Sequence, residues 1–290
     1  MFLLSHERGI NRGLKVSLEF VAEVSTEQIL LKNKGAKQPR ELIVTKELCV
    51  GCGVCAKICP MDAITIGPLG ATERDAVDVS KIEADVQKCV LCGMCAPVCQ
   101  FHAIGFTING QSIFDIPGYP QLDGRIAIDQ EKVTTIQDPK GFTSCLKACP
   151  RDLLQLNTKN GQIQLDVDES RCFWCKKCEI ACPEGTITVE KAFMGELKLT
   201  IDRCDGKCGV CIAVCPVDAF KFPDKKQPWE PREKLVYDAT YCVFCGACAR
   251  ACAAEAIEVK VKEIRMNNQD TSVAWGKTWK NSLEKLLDGN

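Results

Sequence analysis

Histidine is almost missing from this sequence: His6 and His102 are the only two in 290 residues. That excludes zinc fingers built on histidine and haem proteins that need several histidine ligands. Aromatic residues make up only 6% of the chain, and neither sign of charge prevails, the net charge being -1. A near-neutral chain lacks the basic footprint of a nucleic-acid binder. No apolar run approaches the length of a membrane span. The opening MFLLSHERG turns to charge too early for a signal peptide. A cytoplasmic location is therefore expected. There is no glycine-rich nucleotide fingerprint and no nucleophile beside a plausible base, so catalytic residues are expected to be none.

Cysteine, by contrast, is abundant, with 22 residues. Without them the apolar share falls to about 38%, thin for a chain of this length. Something besides side-chain packing must hold the fold together. In a reducing cytoplasm that is metal rather than disulfide.

The spacing identifies the metal centre. Cys49, Cys52, Cys55 and Cys59 follow C-x2-C-x2-C-x3-C, and Pro60 comes next. Cys89, Cys92, Cys95 and Cys99 repeat it, as do Cys172, Cys175, Cys178 and Cys182, and Cys242, Cys245, Cys248 and Cys252. Cys204, Cys208, Cys211 and Cys215 carry one extra residue in the first gap. The remaining Cys145 and Cys149 fit the same template, with Pro139 and Phe142 where the first two cysteines would stand. There are thus six motifs, and the third is half erased. This run is the signature of [4Fe-4S] ligation, in which the fourth cysteine serves the other cluster of a pair. Zinc sites use two C-x2-C pairs far apart, a poorer match. The spacing Cys204-x3-Cys208-x2-Cys211 also suits a radical enzyme, but Cys215–Pro216 continues the ferredoxin pattern.

Short β-rich runs flank the motifs: RELIVTKEL, QIQLDVDES, ELKLTID and KLVYDAT before, MDAITI, FHAIGF, RDLLQL, EGTITV, VDAFKF and AEAIEV after. Each unit reads as strand, cluster loop, one-turn helix and strand, the fourth cysteine starting the helix. The expected fold is α+β, a series of ferredoxin-like modules with two [4Fe-4S] clusters each. Glycines 53, 93, 209 and 246 follow the second cluster cysteine and let the backbone approach the cluster closely. Lys176 takes that place in the fourth motif, where its charge would raise the cluster potential. His102 stands where sister motifs have Asp62, Asp152 and Asp218, which favours a surface residue at a helix start over a proton relay.

The first two motifs should pair. One cluster would take Cys49, Cys52, Cys55 and Cys99, the other Cys89, Cys92, Cys95 and Cys59. The last four motifs can pair consecutively, leaving Cys145 and Cys182 idle, or nested, leaving Cys145 and Cys252 idle. Cys252 lacks a following proline, which tips the balance toward nesting. The expected ligands in this half are Cys149, Cys172, Cys175, Cys178, Cys182, Cys204, Cys208, Cys211, Cys215, Cys242, Cys245 and Cys248. Either pairing gives five clusters on 20 cysteines.

The stretches LCVGCGVCAKICPMDAITIGPLGA (48–71), KCVLCGMCAPVCQFHAI (88–104) and INGQSIFDIPGYPQL (108–122) resemble the polyferredoxin subunit family of formylmethanofuran dehydrogenases of methanogenic archaea. The GPLGA and PGYPQL phrases are more telling than the cysteines. The likeness covers most of residues 40–260. That family has eight motifs, so this chain looks like a shortened form. The resemblance implies an electron-transfer subunit, not itself an enzyme. It would carry low-potential electrons to or from a complex that reduces CO2 at a tungsten or molybdenum pterin centre and passes formate to methanofuran. The implied partners are the other subunits of that complex and an external ferredoxin or redox enzyme. A polyferredoxin of a hydrogenase or heterodisulfide reductase is the alternative.

The expected organisation is an N-terminal extension over 1–40, a first two-cluster module over 41–124, further repeats over 125–262 and a C-terminal tail over 263–290. In the tail, Trp275, Trp279, Leu283, Leu286 and Leu287 recur at helical intervals. They suit a partner-docking helix or a cap on the last module. The charged run at 225–234 reads as a solvated turn.

Overall fold

The computed structural model describes residues 2–8, 18–72, 80–136, 139–159, 161–183, 185–204, 206–223, 235–267 and 274–287. The charged run at 225–234 lies outside them. The chain forms two compact units, residues 1–122 with 266–290, and residues 123–265.

The first unit is built on a six-stranded antiparallel sheet. Strands β1 (Phe2–Arg8), β2 (Leu18–Val24), β3 (Gln28–Lys34) and β4 (Arg40–Thr45) follow one another in space. Alternation turns Ile29, Leu31, Leu42 and Val44 to one core. After α1 (Val54–Ile58), β5 (Ile64–Ile66), α2 (Leu69–Thr72) and β6 (Ile82–Ala84), strand β7 (Ile104–Ile108) returns beside β4. Strand β8 (Gln111–Ser112) completes the sheet and β9 (Gln121–Leu122) follows. Residues 1–40 are therefore no separate extension. Their strands widen the sheet of the first module.

The second unit contains β10 (Arg125–Ile128), α3 (Gln130–Thr135), α4 (Thr143–Ala148), β11 (Leu154–Lys159), β12 (Gln162–Val167), α5 (Lys177–Ala181) and β13 (Ile187–Glu190). It continues with β14 (Phe193–Leu199), α6 (Val210–Ala213), β15 (Phe220–Lys221), β16 (Val236–Tyr237), α7 (Ala247–Ala251) and β17 (Ile257–Ile264).

One pairing rule runs through all three modules. The strand before the first motif of a pair joins the strand after the second: β4 with β7, β10 with β13, β14 with β17. The two inner strands form a ladder of their own: β5 with β6, β11 with β12, β15 with β16. The same backbone bonds close each module. Thr45 N donates to Ala103 O, Asp129 N to Thr186 O and Thr200 N to Ala256 O, at 2.8–2.9 Å. Asp85 N donates to Ala63 O, Asp168 N to Leu153 O and Asp238 N to Ala219 O, at 2.8–3.0 Å. Motifs therefore pair consecutively, one with two, three with four, five with six. The nesting favoured by the missing proline after Cys252 does not occur.

The short helices also lie elsewhere than expected. Helices α1, α4, α5 and α7 end at the fourth cysteine, with Cys59, Cys149, Cys182 and Cys252 as C-caps. The fourth cysteine closes a helix rather than starting one. Three residues on, Asp62, His102, Asp152, Asp218 and Glu255 turn the chain with φ between 47° and 53°. Short polar side chains adopt that left-handed conformation more readily than most.

The tail does not cap the last module. Strand β18 (Met266–Asn267) pairs with β9, and α8 (Ala274–Leu287) packs against α1 in the first unit. Trp279 is 3% exposed and Leu286 6%. These two anchors are spent on the chain's own core rather than offered for docking.

Candidate iron–sulfur cluster sites

Each complete motif begins as a loop whose backbone turns left-handed twice. The first such residue is Gly51, Leu91, Trp174 or Phe244 in motifs one, two, four and six. The second is Gly53, Gly93, Lys176, Gly209 or Gly246, each the N-cap of a helix or the start of a turn. Such turns gather successive backbone N–H groups on one side and make a concavity for negative charge. Two of the glycines are needed for space as well. A Cβ on Gly51 would stand 2.6 Å from Leu69, and one on Gly93 2.6 Å from Phe106. Leu69 belongs to the GPLGA phrase, so that phrase is the lid of the first loop.

The thiols gather in quartets. In five of them burial first, and the neighbouring sulfurs with it, push a thiol up. Cys55 is raised well above its usual value by burial and then by Cys52, Cys99, Cys95 and Cys49. Cys95 answers in the same way to burial and then to Cys92, Cys89 and Cys59. Cys178 is pushed up to about 12 by burial, then by Cys175, Cys172 and Cys149. Burial takes Cys211 to about 12, with Cys208, Cys204 and Cys252 adding. Cys248 also reaches about 12 through burial, Cys242 and Cys215. The quartets are thus three cysteines of one motif and the last cysteine of its partner motif, five times over.

The donor set fits a [4Fe-4S] cluster on geometry too. Cys59, Cys89, Cys92 and Cys95 line one pocket, partly open to solvent, whose walls are otherwise Leu42, Met61, Leu91, Met94 and other apolar groups. The fourth cysteine of five motifs accepts a backbone N–H four residues on. Ala63, Ala103, Leu153, Ala219 and Ala256 donate to Cys59, Cys99, Cys149, Cys215 and Cys252 at 3.3–3.4 Å. Hydrogen bonds to sulfur stabilise the charge of a cluster thiolate.

Cys182 breaks this pattern. The N–H of Thr186, four residues on, goes to Pro183 O at 3.0 Å, and Cys182 itself forms a disulfide with Cys145. The expected ligand Cys182 is thus turned away from every quartet, and Cys252, left out of the expected set, stands in one. Motif three lacks its first half: Phe142, at a lost ligand position, is fully buried. Pro139 opens the short 3-10 helix that carries Phe142.

One functional residue had no signal in the cysteine pattern. Lys191 is 8% exposed and donates to Thr240 O and Cys242 O, both at 2.7 Å. Its Nζ lies 5.7 Å from the centre of the Phe244 ring. Burial lowers its pKa, Cys242 raises it, Lys176 lowers it again and Cys175 raises it, so cysteines of two quartets lie within its electrostatic reach. A lone lysine just after a predicted strand was the only hint. Lys176, in the left-handed position, is tied to Glu179 at 3.3 Å, and Glu179 accepts from Val189 N at 2.6 Å.

No helix among the described residues is long and apolar enough to cross a membrane. A chain of the formate dehydrogenase–heterodisulfide reductase–formylmethanofuran dehydrogenase complex from Methanospirillum hungatei has a similar structure, with a TM-score of 0.77 and 26% identity, covering 91% of each chain. The polyferredoxin protein FwdF of Methanocaldococcus jannaschii is 45% identical over 113 residues, 39% of this chain and 32% of that protein. The polyferredoxin protein MvhB of Methanothermus fervidus is 29% identical over 87 residues, 30% of this chain and 20% of that protein. This chain therefore matches a third or less of the length of these curated relatives. The family model of the 4Fe-4S dicluster domain matches residues 48–103, 143–186 and 203–256, which enclose motif pairs one–two, three–four and five–six and exceed half the chain. The tandem ferredoxin-like modules, the thiol quartets and this match agree: the chain belongs to the 4Fe-4S dicluster domain family.

Proposed function

We propose that this chain is an electron-transfer subunit of a formylmethanofuran dehydrogenase complex, carrying low-potential electrons toward or away from the subunit that interconverts CO2 and formate. The carrying observation is the structural likeness over 91% of both chains to a member of a complex that includes that enzyme. The partners would be the other subunits of the complex and an external redox carrier, in the cytoplasm.

The proposed ligand sets number five. They are Cys49, Cys52, Cys55 and Cys99; Cys89, Cys92, Cys95 and Cys59; Cys172, Cys175, Cys178 and Cys149; Cys204, Cys208, Cys211 and Cys252; and Cys242, Cys245, Cys248 and Cys215. A [4Fe-4S] cluster held by four cysteines takes up and gives up one electron at a time. The chain's part is to bind, to exclude water and to set potentials. Leu69 and Phe106 cover the first two loops, and backbone N–H groups offset thiolate charge. Lys191 brings positive charge between two sets of the second unit.

The test is to tag the chain, purify it without air from a host that makes the complex, and identify what comes with it. A tungsten or molybdenum pterin subunit at equal amount supports the proposal. A hydrogenase or heterodisulfide reductase with no pterin subunit moves the chain to the alternative complex. The chain alone should hold ~20 iron atoms and absorb broadly near ~400 nm. A colourless zinc protein would end the reading.

A further inference from the structure

The second unit has two cysteines outside its quartets, and they are bonded to each other. Cys145 in α4 and Cys182 at the end of α5 form a disulfide, with Cα atoms 4.7 Å apart. Both are ligand positions of the same incomplete cluster site, the third of motif three and the fourth of motif four. Cys145 has no exposed surface, and Cys182 is 8% exposed.

Each lies one helical turn from a member of the neighbouring quartet. Cys145 precedes Cys149 by four residues along α4, and Cys182 follows Cys178 by four along α5. One turn rises only ~5.4 Å. The two helices are clasped beside the disulfide by Ser144, whose hydroxyl donates to Ala181 O at 2.7 Å. That clasp is independent of the S–S bond. Breaking the bond need not part the helices.

We propose that Cys145–Cys182 is a redox-active pair that stores two electrons, resting on the electron-carrier reading above. In the step, the S–S bond breaks and each sulfur gains one electron and one proton, giving two thiols. The electrons come from two equivalents of a low-potential one-electron donor of the iron–sulfur class, each oxidised once. The protons come from water at the Cys182 edge. An attacking thiol is ill suited to this job, because it must approach a sulfur directly and Cys145 is sealed. Electron transfer needs only proximity. Low-potential ferredoxin-type donors lie below most protein disulfides, so transfer runs toward the disulfide. With Pro139 and Phe142 at the other two ligand positions, the reduced pair lacks the four cysteines that a cluster needs.

The test uses the full chain, purified without air. Samples are poised with mediator dyes at an oxidising and a reducing setting, quenched in acid, alkylated with N-ethylmaleimide and digested under denaturing conditions. Mass spectrometry should find the Cys145 and Cys182 peptides linked at the oxidising setting and both labelled at the reducing one. Linkage at both settings would mean an inert staple and overturn the proposal. Label at both settings would mean that no disulfide forms, and overturn it equally. Iron content is scored separately: a chain without clusters condemns the electron-carrier reading, while the alkylation pattern still decides the pair. As a second measurement, coulometric reduction of the loaded chain should take about seven electrons, and about five in the Cys145→Ser/Cys182→Ser double variant. Equal uptake by both chains contradicts the proposal.

Discussion

Lys191 carries a buried charge between two thiol quartets, and its hydrogen bonds to Thr240 O and Cys242 O hold it there. A cation close to a redox centre favours the more negative, reduced state. Lys191→Gln keeps a donor for the two carbonyls but removes the charge. The midpoint potential of at least one EPR-visible couple should fall by on the order of 1–2 kcal/mol, about 40–90 mV for one electron. Unchanged potentials at full iron content would reduce Lys191 to a clasp. Cysteine substitutions separate ligand from bystander at the same scale. Cys252→Ala should lose about four iron atoms per chain, whereas Cys182→Ala should keep ~20. The reverse result would restore the nested assignment.

At the scale of elements, α8 has become part of the first module. Trp279 is buried on α8, and α8 packs against α1, the helix that carries Cys55. Trp279→Ala should cost about 3–5 kcal/mol and lower the thermal midpoint of the loaded chain. A midpoint unchanged within a degree or two would show the helix to be detachable. The flanking strands and cysteine loops were legible in the sequence because β-branched runs and fixed spacing are local signals. The seat of α8 was not, because tryptophans at helical intervals mark an apolar face without saying what covers it. Pairing was opaque for a related reason. Pro183 gives motif four the appearance of an intact ligand set, while Cys252 has only Ala253 after it. What decides is distant: β10 finding β13, and Cys182 bonding to Cys145. The left-handed turns after the fourth cysteine did have a local signal. Asp, His or Glu at the third place after it recurs in five motifs, and was read as a helix start.

Over the whole molecule, the two units depend on iron to different degrees. The first owns a six-stranded sheet whose buried Ile29, Leu31, Leu42, Val44, Ile104 and Phe106 form an apolar core that Cys49, Cys55 and Cys95 share. Among the described residues of the second unit, every sheet is a two-stranded ladder. A ladder of two strands is marginal in water by itself, and needs packing or metal to persist. Removing iron with a chelator under reducing conditions should therefore dissolve the second unit first. Hydrogen exchange followed by mass spectrometry reads this directly. In the stripped chain, amides of β2, β3, β4 and β7 should keep much of their protection, while those of β10 through β17 should exchange within seconds to minutes. Equal loss in both units would mean that the N-terminal sheet, too, is assembled around its clusters. Protection retained throughout would mean that side-chain and thiol packing suffice without iron, and that metal adds electron transfer to a fold already stable.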